Sequence, residues 1–583
     1  MKKIISFIII MFILLSFEST VFAQDSKQIY EELDNMVQNL VVSDSAMGAV
    51  LSVVSNGEIQ FYKGYGFADK YLGYEADGEK TAFRIGSVSK TFVAVAAQIL
   101  NQEGLIDMNQ DISIYLESDF PNPKYPVTMK ELLTHTAGFE DIVTGIAVFN
   151  ISDTEPLAKS VRKYIPAQAF KPGEVVSYSN YGIALAAYVI ECISNQDFAQ
   201  FCQERIFEPL DMTRTTFEYM HDIVYVSKPY LKSGNETIEP FMNLYPEGSA
   251  VSTAEDMAKY MIWLLNSSDN RILSSDFKKE MFSKQFTMSD ELEGIGYIWN
   301  RKERNNEVYY EKKGETLNFY TRIALYPKNQ TGIFVSFNTF LPEHKINELI
   351  KKATDLLYGE QNNYNFSPEL ATIDIKGLYT NNWSSFNTPE KILRYLIPNK
   401  MIQIRGSQEN GYYINGNALE LIGKDIYSSS IGMLKFQKIN NKIILATESG
   451  ITFSKVPLWQ HRNVQLLVPS MFFILTFICF INELLLMIKN KTKNYYCLIS
   501  YFIQIIFFIT LFLLMYKGIT TYSLLNYSLY IKICGAVILS FVLTNTGYTT
   551  CKAIKNKTFN PLSIAWNLTA VLFVLWIIWF NII

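Results

Sequence analysis

The strongest constraint on this chain lies near its C-terminal end. Four apolar segments, near 464–488, 497–516, 524–546 and 562–583, are each about as long as a helix that crosses a hydrocarbon core. Main-chain polar groups in such segments have to be satisfied within the segment, so helices are the expected form. Lys489, Lys491 and Lys493 occupy the first connection and Lys552, Lys555 and Lys557 the third, whereas the middle one, Lys517 to Tyr522, has a single lysine at its edge. That asymmetry predicts that both basic connections are cytoplasmic, and walking back across the first span puts residues 24–461 outside. Glu483 and Lys532 fall near the ends of their spans, where each can reach the interface. The N-terminal end agrees independently. Lys2 and Lys3, an apolar run from Ile4 to Leu15, and Val21-Phe22-Ala23 before Gln24 follow the order of a secretory signal peptide over 1–23. The expectation is a multi-pass protein of the cell membrane with a large extracytoplasmic portion.

Composition narrows the partners. With 49% apolar and 19% charged residues in 583, the chain is too apolar for disorder and too charged to lie wholly in the bilayer. A net charge of −4, from 52 basic and 56 acidic residues, supplies no field for phosphate backbones, so no nucleic acid is expected. Four histidines argue against a His-rich metal site, and no metal or cofactor is expected. The lipid bilayer is the partner that the apolar segments predict; oligomeric state stays open. Of six cysteines, only Cys192 and Cys202 lie outside the membrane region, and either a disulfide or two small buried side chains on neighbouring helices fits them.

The exported part begins with a helix near 28–41 and an alternating stretch, Val50 to Tyr65, folded about Asn56-Gly57 as a hairpin. A second strand-rich stretch, Glu307 to Phe337, follows a long helical region. That order predicts an α+β fold, an antiparallel sheet assembled from both ends of the domain and flanked by helices, with a helical subdomain. From 366 to 457 short strands with Asn410-Gly411 and Asn415-Gly416 turns predict a small β-barrel or sandwich. The domains are then a signal peptide (1–23), a main domain (24–360), a small β domain (366–457) and a four-helix membrane region (462–583), with Gln361 to Asn365 as linker. Trp383 and Trp459 read as core or interfacial anchors.

Three pieces carry chemistry. Arg84-Ile85-Gly86-Ser87-Val88-Ser89-Lys90 runs into an apolar helix, so the Lys90 amine falls one turn from the Ser87 hydroxyl, near a helix N-terminus. Serine can become a nucleophile in this way without histidine. The spacing also occurs at Ser160 and Lys163 and at Ser275 and Lys278. Second, a turn from Pro172 leads through Tyr178-x-Asn180 into a helix from Ile183 to Ile193; a phenol near a lysine can have its pKa lowered enough to move protons, and the Asn180 amide can hold a carbonyl. Third, Lys312-Lys313-Gly314-Glu315 lies on a strand, where Gly314 lets a substrate approach the edge and main-chain N–H groups can face an oxyanion.

Together and in this order, Gly86-Ser87-x-x-Lys90, Tyr178-x-Asn180 and Lys312-x-Gly314 resemble the three motifs of serine β-lactamases and penicillin-binding proteins, within them the group of class C β-lactamases, D,D-peptidases and esterases. Thr128 to Phe139, Glu208 to Thr213 and Gly248 to Met257 agree with that group, and the resemblance covers about 28–358. It implies a β-lactamase/transpeptidase-like fold. It also implies Ser87 as the acylated nucleophile, Lys90 and Tyr178 as the acid/base pair, Asn180 as a holder of the substrate amide, and Lys312 as an electrostatic group. The oxyanion hole would be the N–H groups of Ser87 and of Glu315, the residue after Gly314; His135 would be structural. The implied activity is an exported, membrane-anchored serine hydrolase forming an acyl-enzyme on D-amino-acid-containing peptides or related amides and esters, and the implied substrate partner is a small peptide or amide, cell-wall precursors among them. The alternatives are a penicillin-binding sensor that acylates without turnover, and a peptidase activating an exported peptide antibiotic. Lysine at 312, where many relatives have histidine, and Glu315 and Asn318, where many have small residues, predict a narrower and more charged pocket wall. There Glu315 would attract an ammonium and Lys312 a carboxylate. Whether lysine or tyrosine takes the first proton stays open.

Overall fold

The computed structural model describes residues 29–42, 46–219, 225–360, 371–397, 400–429, 432–448, 450–489, 495–520, 524–556 and 561–582. The signal peptide at 1–23, the linker at 361–365, His221 and the connection lysines Lys491, Lys493 and Lys557 lie outside the described residues.

Gly48–Ser55 (β1) and Glu58–Asp69 (β2) pair antiparallel across Asn56-Gly57, whose φ angles of 52° and 79° are those of a primed two-residue turn. Tyr74–Glu75 (β3), Asn300–Arg304 (β4), Glu307–Glu315 (β5), Tyr320–Tyr326 (β6) and Thr331–Phe337 (β7) complete a seven-stranded sheet ordered β3-β2-β1-β7-β6-β5-β4. The two ends of the domain meet where β1 pairs with β7. Alternation along β1 sends Val50 and Val54 into the core on one face and Ala49, Leu51 and Val53 into the core on the other. The first face carries the helical region, including Lys90–Gln102 (α2) and Asn180–Ser194 (α3); the second carries a helix over 29–42 (α1) and Glu343–Tyr358 (α4). With both faces covered, β1 is buried along its whole length.

Eight further strands, from Gly377–Asn381 to Thr452–Val456, close into a barrel around Tyr379, Ile404, Leu434, Phe436 and Leu445. Between its first two strands the chain leaves the barrel as an excursion over 382–397. Arg462–Ile488 (α5), Tyr495–Thr520 (α6), Ser528–Asn556 (α7) and Pro561–Trp579 (α8) are four helices long and apolar enough to cross a membrane. The third differs from the expected 524–546. It starts behind the turn Leu524–Tyr527 and keeps Lys552 and Lys555 on its last turns, since lysine is a good helix former whose stem can lie on apolar surface while its ammonium reaches water. Cys192 and Cys202 are both free thiols, the second packed in the apolar core, so of the two alternatives the disulfide is not formed.

Candidate active site

Gly86–Ser89 is a single 3-10 turn that runs directly into α2 at Lys90. Two glycines let this turn lie against the edge of β5. Gly86 has φ +52°, and a Cβ there would meet the Glu315 nitrogen at 2.7 Å; a Cβ on Gly314 would stand 2.0 Å from the Ile85 carbonyl oxygen. Ser87 is thereby held half-buried at the mouth of the fold. Lys90 Nζ donates to Ser87 Oγ at 2.8 Å, and the Tyr178 hydroxyl donates to the same oxygen at 2.8 Å. The fold thus brings two of the candidate side chains, Lys90 and Tyr178, onto the oxygen of the third, Ser87.

Tyr178 stands between two anchored serines. Ser177 Oγ donates to the carbonyls of Phe139 and Asn382 at 2.9 and 3.0 Å, and Ser179 Oγ caps α3 by accepting from Gly182 N at 3.0 Å. The helix therefore starts at Asn180 rather than at Ile183, because the serine supplies an N-cap three residues earlier. Asn180 Oδ1 is buried with no hydrogen-bond partner among the described residues, an acceptor left open two residues after Tyr178.

Glu247 escaped the sequence reading. It ends the turn Tyr245–Glu247, and the residues just after it are laced to the serine turn: Ile85 N donates to Ala250 O at 3.0 Å, and Ala250 N to Ser89 Oγ at 3.1 Å. Glu247 Oε2 lies 2.7 Å from Lys90 Nζ, both side chains are buried, and Lys90 also donates to the Glu247 carbonyl. Burial pushes the Lys90 ammonium down, but the Glu247 carboxylate and the Tyr178 oxygen outweigh it, and its pKa stands above the ordinary value. The expected lowering at Tyr178 is not found. Burial outweighs the pull of Lys90 and raises the phenol, so the resting pair is an ammonium and a neutral phenol.

Lys312 is buried with its Nζ 5.4 Å from the centre of the Tyr178 ring. Burial first, then the charge of Lys90, push its pKa down to about 7. Glu315 behaves otherwise than expected. The ladder pairs Gly314 with Thr321 and Glu315 with Tyr320, and Thr316 N donates to Phe319 O, so alternation turns the Glu315 N–H away from β6 and toward Gly86. Its carboxylate lies on the opposite face from Lys312, 3.2 Å from the buried Arg322, while Lys313 pairs with Glu343 of α4. The Glu315 side chain therefore pairs with Arg322 and does not present the charge that would attract a substrate ammonium beside Lys312. Asn318 in the adjoining turn is buried, its Nδ2 donating to Glu239 at 3.0 Å.

His135 packs its ring 4.2 Å from that of Tyr178 and accepts from Ser179 N at 3.3 Å. Burial, then Lys312 and Lys90, hold it neutral. Trp383 departs from its reading as an anchor. The excursion from the barrel brings its ring centre 4.8 Å from that of Tyr178, with Lys400 Nζ 4.0 Å from the Trp383 ring centre, so it packs directly against the candidate acid/base tyrosine. Trp459 packs on Trp579 at 4.7 Å, at the start of the first span. The two competing Ser-x-x-Lys pairs are spent structurally: Lys163 pairs with Glu155, and Lys278 donates to the carbonyls of Trp263, Asn266 and Asp269.

Residues 33–355 match the family model described as Beta-lactamase. PbpX of Bacillus subtilis (strain 168), named as a penicillin-binding protein, is 29% identical over 260 residues, covering 43% of this chain and 62% of PbpX. Protein flp of Staphylococcus aureus (strain N315) is 27% identical over 330 residues, 54% of this chain and 63% of flp. The chain thus spans less than two thirds of the length of these relatives. The structure of the octameric penicillin-binding protein homologue from Pyrococcus abyssi superposes with a TM-score of 0.50 at 19% identity, covering 73% of this chain and 99% of that one.

Proposed function

This chain belongs to the β-lactamase family of serine hydrolases, and from that premise we propose that it is a membrane-held enzyme that acylates Ser87 with D-amino-acid-containing peptides or related amides and esters. The observation that carries this reading is the convergence of Lys90 Nζ and the Tyr178 hydroxyl on Ser87 Oγ, each at 2.8 Å. In the proposed reaction Ser87 Oγ adds to the carbonyl carbon and its proton enters the Lys90 and Tyr178 network. The oxyanion lies between the N–H groups of Ser87 and Glu315. Tyr178 protonates the leaving amine, Asn180 Oδ1 accepts a hydrogen bond from the substrate amide, and water then hydrolyses the ester. Lys312 takes a substrate carboxylate, the group whose arrival would restore its charge. The basic residues at the ends of α5 and α7 favour an extracytoplasmic catalytic domain.

A second reading, a peptidase that trims an exported antibiotic precursor with help from its membrane helices, is favoured by one observation. The same excursion that brings Trp383 to Tyr178 also sets Tyr395 5.7 Å from Phe580 and Lys391 4.5 Å from the Trp579 ring.

The test is intact-mass spectrometry of the full chain in detergent with a fluorophosphonate, benzylpenicillin and a panel of D-amino amides. We expect a covalent adduct at Ser87 and turnover of at least one amide, both absent in Ser87→Ala. Undiminished hydrolysis by Ser87→Ala would sink the reading; a lasting penicillin adduct without turnover of any amide would replace it with a sensor.

A further inference from the structure

The cluster on Ser87 has a donor surplus. Its oxygen accepts from an ammonium and from a neutral phenol, and two acids cannot make a hydroxyl nucleophilic; the proton that Ser87 loses needs an acceptor linked to it. Lys312 carries an amine near neutrality but makes no hydrogen bond to Ser87, Lys90 or Tyr178 among the described residues. His135 is neutral as well, yet it stacks on the Tyr178 ring and its Nδ1 is taken by Ser179 N. Glu247 is the carboxylate in direct contact with the cluster, through Lys90 at 2.7 Å.

We propose that Glu247 is the positioning residue that completes acylation, taking up through Lys90 the proton that Ser87 gives off. This rests on the reading above that Ser87 is acylated. Lys90 passes one ammonium proton to Glu247 Oε2. The amine so formed takes the Ser87 proton as Oγ bonds to the carbonyl carbon and the carbonyl π pair moves onto oxygen. The sum is one carboxylate become carboxyl, one hydroxyl become an alkoxy bond to carbon, and Lys90 an ammonium again. When the intermediate collapses, the C–N bond breaks and the leaving nitrogen takes the Tyr178 proton. Lys90 re-protonates Tyr178, and Glu247 re-protonates Lys90.

Two features beyond the contact itself support the assignment. Glu247 Oε1 is buried with no hydrogen-bond partner among the described residues, so the carboxyl form can arise without breaking a bond that the fold uses. The turn that carries Glu247 is tied by Ala250 to both ends of the serine turn, at Ile85 and Ser89, so acceptor and nucleophile keep one geometry. The charged and titratable groups that interact with Glu247 are Lys90 from α2, Tyr178 before α3, Asp141 and Tyr219, with Lys312 of β5 acting on Lys90. Asp141 has its own cation in Lys400, at 3.9 Å, and Tyr219 donates to Met242 O at 3.1 Å, so neither replaces Glu247 at Lys90.

The experiment measures the rate of fluorophosphonate adduct formation at Ser87 in the full chain in detergent, from about pH 5 to about pH 10, for wild type, Glu247→Gln and Glu247→Asp, with thermal melts alongside. Expected is a slowing of roughly 100- to 10,000-fold in Glu247→Gln with loss of the acidic limb of the profile, and partial recovery of rate and limb in Glu247→Asp. A labelled wild type with an equally fast Glu247→Gln of unchanged pH profile overturns this inference alone. So does an equal loss of rate and melting temperature in both variants with the profile of the residual rate unmoved, the behaviour of a merely structural ion pair. No Ser87 adduct in the wild type overturns the underlying reading, and this inference with it.

Discussion

A lysine buried without a carboxylate beside it gives up its proton unless something arrives to share the charge. Lys312 is in that position, its pKa pushed down to about 7 by burial and by Lys90. A bound carboxylate would raise it again, so binding takes up a proton. Affinity for carboxylate-bearing substrates is then greatest below about 7 and falls as pH rises above it, while neutral amides show no such limb. KM against pH for a substrate acid and its amide checks this, and Lys312→Met should flatten the difference. The sign for stability follows the same protons. The unfolded chain binds more of them between about 7 and the ordinary lysine value of 10.5, so Lys312 makes stability rise with pH across that window. Lys312 and Ser87 were legible as residues, because a strand and a helical turn fix their neighbours locally. The ionisation of Lys312 was not, because it depends on what the fold packs around the amine.

Among elements, the decisive contact is the serine turn on the edge of β5, where Gly86 and Gly314 leave no room for side chains. Gly314→Ala places a methyl 2.0 Å from the Ile85 carbonyl oxygen, so the strand and the turn have to part. Overpacking of this kind costs about 1–3 kcal/mol, and here it would also displace Ser87. The expected outcome is a lower melting temperature with fluorophosphonate labelling reduced out of proportion to the unfolded fraction; unchanged labelling would mean that the turn does not depend on this approach. Strand period also explains Glu315. Its place two residues from Lys313 on one face could be read from alternation, but its partner, Arg322, is set by the pairing of β5 with β6. The excursion at 382–397 was illegible for a similar reason. Glu140 receives Phe386 N at 2.6 Å and Asn387 N at 2.8 Å, and Glu390 receives Val143 N at 2.8 Å, contacts that fix Trp383 against Tyr178 and leave no local pattern.

At the scale of the whole molecule, the barrel meets the main domain directly, through Thr452 Oγ1 donating to the Val176 carbonyl at 2.6 Å and Leu292 packed with Ile422, Ile426 and Met433, while the excursion links it to the helix bundle, its Ile392 and Tyr395 packing in the same apolar cluster as Phe580 and Trp576. The orientation of the helix bundle is open to a direct test in a Cys192→Ser background, because Cys551 is exposed near the C-terminal end of α7, Cys192 is half-buried, and Cys202, Cys479, Cys497 and Cys534 are buried. With an extracytoplasmic catalytic domain, a membrane-impermeant maleimide should leave Cys551 unlabelled in intact cells and label it after lysis. Asn410→Cys, on an exposed barrel turn, should be labelled in both. The reverse pattern would invert the topology. The sequence by itself determined what repeats or recurs over a few residues: the four apolar spans, the hairpin at Asn56-Gly57, the strand-rich texture of 366–457 and the one-turn spacing of Ser87 and Lys90. Tertiary structure alone decided that Lys90 meets Glu247, 157 residues away, that Asn382, 205 residues from Ser177, brings Trp383 against Tyr178, and that Tyr178 stays a phenol. The physical reason is that spacing governs which groups can share a face, whereas burial and distant charges govern which of them hold a proton.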